Sequence, residues 1–218
     1  MLASSYKNCI KSTEIIMIKI NKEIFKKALL AGIFSAFTIG VLTVLTYKSA
    51  LGLFIAGSFG SSMVLLFGFP ESPFAQPKNV FFGHLVTSIV GVLILKFLPV
   101  DLFLQIAVAV GLGIFVMILL GVTHPPAGGN PIVIILGAVS YDFLLNPIIF
   151  GSIIIIAYAI ILNRFILKKN YPSSWKSWFK IIVVTIDIFI TFFIVFSFIF
   201  LLINTNDEYR LFAKRILT

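Results

Sequence analysis

The chain has 218 residues, 60% of them hydrophobic and only 11% charged, far below the roughly 25% of soluble domains. So little polar surface cannot cover a soluble core, and apolar stretches near the ~20 residues that span a bilayer recur along the chain. The net charge of +9 gathers before residue 28 and again between Arg164 and Lys180. In this setting it marks the cytoplasmic side, and with no basic stripe interleaved with aromatics it does not indicate nucleic acid.

Residues 1–27 form a polar, lysine-bearing cytoplasmic segment. They lack a continuous apolar core and a small-residue cleavage site, so no secretory signal is expected. Met17 would also serve as a start, which leaves the translation of residues 1–16 open. The lone Cys9 excludes an intramolecular disulfide and a cysteine metal cluster. Lysine outnumbers arginine 14 to 3, a bias read as that of an AT-rich bacterial genome and hence a bacterial plasma membrane.

Apolar segments then follow in order. The first is Ala28 to Tyr47. The second, Leu51 to Phe69, is interrupted by Gly57-Ser58-Phe59-Gly60-Ser61-Ser62. The third is Val80 to Leu98 and the fourth Leu102 to Val122. The fifth starts after Asn130 and fades near Leu145, the sixth is Pro147 to Leu167, and the seventh is Lys180 to Ile203. Lys22, Lys26 and Lys27 place the N-terminus inside, and Arg164, Lys168, Lys169, Lys176 and Lys180 place the loop after the sixth segment there too. An even number of crossings must separate them. Six satisfies this, as does four if segments two and five only dip in.

A short internal repeat favours six. Gly60-Ser61-Ser62-Met63-Val64-Leu65-Leu66-Phe67-Gly68 aligns without gaps on Gly129-Asn130-Pro131-Ile132-Val133-Ile134-Ile135-Leu136-Gly137. Units of three crossings are odd, so two of them must be inverted. The expected fold is therefore an all-α polytopic membrane protein of two inverted three-segment repeats. Its second and fifth helices are discontinuous, and an extra C-terminal helix follows. Such repeats place ligand sites near the midplane.

The run Thr123-His124-Pro125-Pro126-Ala127-Gly128-Gly129-Asn130-Pro131 cannot continue a helix. Non-helical backbone survives inside a bilayer only where protein buries it or water lines it. Asn130 and Pro131 read as a helix start, and Ser58, Ser61 and Ser62 offer similar caps in segment two. Two helix N-termini inside the membrane would attract a small anion. The glycines have a second reading, close helix packing. His124 can donate to an anion, carry a proton with it, or cap the fourth helix; His84 sits in the third segment as a functional or merely satisfied polar group. The expected substrate-binding set is Ser58, Gly60, Ser61, Ser62, His84, His124, Pro125, Pro126, Gly128, Gly129 and Asn130. Gly129→Val is expected to abolish transport without preventing insertion. Two histidines without carboxylate or cysteine partners do not indicate metal. No nucleophile stands beside a base, so neither a cofactor nor enzyme chemistry is expected. Glu71 to Asn79 form a proline-punctuated polar loop whose Lys78 can draw anions to the cytoplasmic mouth. Trp175 and Trp178 read as interfacial anchors, and Asp187 in segment seven has no assigned role.

The Thr123 to Pro131 run resembles the signature of the HPP family of integral membrane proteins. Gly57 to Gly68, Pro70 to Asn79 with Gly83-His84, and Tyr171-Pro172 with Trp175 are similar to the same family. The resemblance covers about residues 28–176, leaving 1–27 and 177–218 outside the HPP-type domain. It implies a transporter with four or so transmembrane helices. Members from cyanobacteria and chloroplasts are associated with nitrite transport, so nitrite is the first anion implied. The segment Lys180 to Ile203 departs from the pattern, giving an odd span count and an outside tail. The rival reading is a membrane scaffold or accessory subunit. Expected partners are the bilayer and a small anion, with self-association left open.

Overall fold

The computed structural model describes residues 22–49 and 53–173. The seventh segment, Trp175, Trp178, Asp187 and Cys9 lie outside the described residues. The regular elements among the described residues are all helical, with no strand among them. Four helices are long and apolar enough to cross a membrane: Lys22–Lys48, Pro77–Phe97, Leu102–Leu119 and Leu144–Ile166. We number the elements α1 (Lys22–Lys48), α2 (Gly57–Met63, continued by a wide π turn Val64–Gly68), α3 (Pro77–Phe97) and α4 (Leu102–Leu119). A 3-10 turn, Pro125–Gly129, leads into α5 (Asn130–Leu136). The last helix, α6 (Phe150–Ile160), is flanked by wide turns Leu144–Ile149 and Ile161–Ile166.

Side-chain contacts mark two ends of the bundle. At one end Lys27 Nζ lies 4.6 Å from the centre of the Phe69 ring, and Lys26, Lys27, Leu167 and Lys169 share a groove. At the other, Lys96 Nζ lies 5.6 Å from the Tyr141 ring, and the Phe54 N–H donates to Thr46 Oγ1 (3.0 Å).

α1 faces outward along most of its length, with Phe25, Leu29, Ile33 and Phe37 exposed. Its hydroxyls are satisfied locally: Ser35, Thr38, Thr43 and Thr46 each donate to the carbonyl four residues back at 2.7–2.9 Å. A helix so satisfied can present its side to lipid. α3 is the central helix, with 61% of its most apolar window buried, against 11% for α1. Two of its glycines admit the run from His124 to Pro131. A Cβ at Gly83 would lie 2.7 Å from His124 Cβ, and one at Gly91 would lie 3.0 Å from Pro131 Cα. The segment is thus held against α3 at both ends by the absence of side chains. Gly151 does the same for segment two, where a Cβ would fall 2.5 Å from the Phe59 ring.

Helix ends explain the turns. α4 stops at Gly121, whose φ of +63° suits glycine. There Gly121 N–H reaches Ile118 O (2.9 Å) and Val122 N–H reaches Met117 O (3.1 Å), a Schellman ending. It turns Thr123 and His124 back into the bundle. After α5, Ala138 takes the same left-handed position (φ 45°). Asn163 donates to Leu66 O (2.9 Å), a carbonyl within the wide turn that closes segment two.

Three local expectations change. The Gly57–Ser62 stretch is helical, and the irregular part of segment two is residues 53–56. Ser62 Oγ lies 3.0 Å from Ser58 O, within reach of the carbonyl four residues back, so the serines fit inside a helix. Asn130 does not cap α5: it has helical φ/ψ (−59°, −45°) because the preceding 3-10 turn runs straight into the helix. His124 does not cap α4, since Gly121 ends that helix.

Candidate functional site

Four polar side chains from four elements meet inside the bundle: Ser62 of α2, His84 of α3, His124 after α4, and Asn130 of α5. None is more than 1% exposed. Both imidazoles turn Nε2 to one hydroxyl, with Ser62 Oγ 3.0 Å from His84 and 2.8 Å from His124. The ring centres are 4.9 Å apart.

Two backbone carbonyls fix the proton positions. His124 Nδ1 lies 2.7 Å from Phe74 O, and a carbonyl only accepts, so Nδ1 carries the proton and Nε2 accepts. Asn130 Nδ2 lies 3.2 Å from His84 O, which fixes the amide's donor end there. The same Nδ2 is 3.1 Å from His84 Nδ1 and 2.9 Å from Ser88 Oγ. His84 Nδ1 therefore accepts and its Nε2 donates. The neutral network reads in one direction: Asn130 to His84, His84 to Ser62, Ser62 to His124, His124 to Phe74 O. Every member has a partner, as a buried polar network requires.

The loop at residues 70–76 roofs this centre. Tyr171 donates to Ala75 O (2.9 Å), and Gln76 Nε2 donates to Pro70 O (3.0 Å). The Ser173 N–H donates to Gln76 Oε1 (2.9 Å), and Asn79 Nδ2 reaches Thr123 O (3.2 Å). Burial pushes the Tyr171 hydroxyl well above its ordinary pKa, because the phenolate would be desolvated. Above the roof a vestibule of about 440 Å³ is lined by Glu71, Lys78, Phe74, Thr123 and neighbouring residues.

Of the residues singled out from sequence, Ser62, His84, His124 and Asn130 converge. Ser58 is buried in α2 with its Oγ unpartnered. Gly60 and Ser61 face outward, as does Pro125, while Pro126, Gly128 and Gly129 are half-buried. Among the described residues, a Cβ at Gly129 would meet nothing within 4 Å beyond its chain neighbours, so close packing does not require glycine there. Thr87, Ser88 and the Phe74 carbonyl belong to the centre and were not singled out. Thr87 and Ser88 stand three and four positions after His84, on one helix face, and that spacing was the available signal. Among the described residues no group of three or more His, Cys, Asp or Glu could hold a metal ion.

The family model described as HPP, transmembrane region matches residues 21–172. The chain belongs to the HPP transmembrane family. Two Dictyostelium discoideum proteins, each described as a transmembrane protein, are 34% identical over 145 residues. The matches cover 62% of this HPP chain and 51% and 47% of the relatives, so the chain spans about half the length of the curated relatives it matches. No solved structure matches.

Proposed function

We propose that this HPP protein moves a small inorganic anion across a membrane, with nitrite the first substrate to test. The observation that carries the reading is the buried polar centre. Four side chains from four elements meet beneath a vestibule, in a bundle that is otherwise apolar outward. Intramembrane polar and ionisable groups are costly and mark substrate or ion paths. Donor chemistry favours an anion: the unpartnered Ser58 hydroxyl and Lys78 at the mouth, although Glu71 lines the same mouth. The start of α2 within the bundle adds a partial positive charge. At α5 the side chains carry the argument, because the 3-10 turn continues into the helix.

The two halves are read as inverted repeats of three crossings, with α2 and α5 as the short members. The lysine-bearing end is read as cytoplasmic by charge bias. The relatives come from Dictyostelium discoideum, and this reading of sidedness does not depend on a bacterial origin.

The test is flux into proteoliposomes holding the purified chain, with nitrite, nitrate, formate and chloride offered with and without a pH gradient. Protein-free vesicles give the baseline, because the neutral acids of nitrite and formate cross lipid unaided. Nitrite flux above baseline that His124→Ala removes supports the reading. No flux of any anion from folded protein refutes it and favours the accessory-subunit role.

A further inference from the structure

We propose that Ser62, His84 and His124 form a binding site for one proton, held on His124 Nε2 while the Ser62 hydroxyl turns to the Ser58 carbonyl. The geometry contains two complete hydrogen-bond states that differ by that proton. In the neutral state Ser62 Oγ–H donates to His124 Nε2 (2.8 Å) and accepts from His84 Nε2 (3.0 Å). In the protonated state His124 Nε2–H donates to Ser62 Oγ. His84 still donates to Ser62, which now accepts from both rings. The Ser62 proton then points to Ser58 O, already 3.0 Å away. Nδ1 of His124 keeps its bond to Phe74 O throughout.

The balance is simple. A proton from vestibule water bonds to the Nε2 lone pair, the Ser62 O–H rotates, and no covalent bond between heavy atoms changes. Release reverses both steps. The vestibule reaches Phe74 and Thr123, so His124 is the ring nearer water.

The site holds one proton and not two. His84 cannot take the second, because its Nδ1 lone pair already accepts from the Asn130 amide (3.1 Å). Two imidazolium rings with centres 4.9 Å apart would also repel. Among the described residues, Glu71 and Lys78 are the only other titratable or charged groups that line the vestibule above, and no carboxylate, lysine or arginine is buried. The charge state of the centre is therefore set by this pair.

The inference rests on the transport reading in one respect only: a bound proton would offset the charge of an anion carried with it. Its test does not need transport. The full chain, labelled with 15N-histidine in lipid nanodiscs, is titrated from pH 8 to pH 4 by nitrogen NMR, with circular dichroism confirming the fold. His124→Gln assigns the signals. At high pH His84 should show the Nε2–H tautomer and His124 the Nδ1–H tautomer. Acid should protonate His124 alone, in one step. Ser62→Ala should weaken proton binding about tenfold, since the charge-assisted bond lost is stronger than the neutral one lost with it. Two imidazoles titrating together, His84 titrating first, or no protonation of a folded chain by pH 4 would each overturn the proposal. In a parallel flux assay, a normal titration without nitrite movement would leave the proton site standing and remove the transport reading.

Discussion

Gly83 and His124 touch so closely that a single methyl group would separate them. A Cβ at residue 83 would lie 2.7 Å from His124 Cβ and 3.1 Å from Val122 O. Backbone cannot yield as a flexible side chain does, so the His124 loop must move away from α3. Gly83→Ala should destabilise the fold by about 1–3 kcal/mol, the usual range for overpacking, and should weaken the His124–Ser62 bond. Thermal unfolding in detergent reads the first effect, and the His124 nitrogen shifts read the second. An unchanged His124 environment would contradict this packing.

Asn130 fixes the His84 tautomer through a donor that leucine cannot supply. Asn130→Leu should release His84 Nδ1 and leave Ser88 without this donor, costing about 1–3 kcal/mol. The His84 resonances should then show both tautomers, where the parent chain shows one.

Ser152 gives a prediction of opposite sign. It is fully buried, and among the described residues its Oγ has no partner. Ser152→Ala should be neutral or stabilising by up to about 1 kcal/mol, since an unpaired buried hydroxyl is already unfavourable. A clear loss of thermal stability would show that the hydroxyl has a partner, such as bound water.

Tyr171 closes the roof from the far end of the described chain, and Tyr171→Phe should cost about 1 kcal/mol by leaving Ala75 O without its donor. Its pH signature follows from the raised pKa. The folded state keeps the phenol proton above pH 10.0, the ordinary value, while the unfolded state loses it. The contribution is therefore complete below about pH 10 and falls as pH rises further. Base-induced unfolding of the parent should be steeper there than that of the phenylalanine variant.

Much of the architecture was legible in sequence because it depends on local quantities. Low charge and repeated apolar runs fix a helical membrane protein, since a bilayer offers backbone groups no other partner. The Thr123 to Pro131 run fixed a break between α4 and α5, because its prolines and glycines oppose helix. The tertiary structure alone decided which polar residues share a site. Ser61 and Ser62 are indistinguishable in composition, yet the helix turns Ser61 outward and Ser62 onto both histidines. From its sequence Asn130 reads as a cap, but the 3-10 turn before it leaves its side chain for His84. The direction of the network rests on the carbonyls of His84 and Phe74. Every residue carries a carbonyl, so its place in space, and hence its power to orient an imidazole, is set only when distant segments pack.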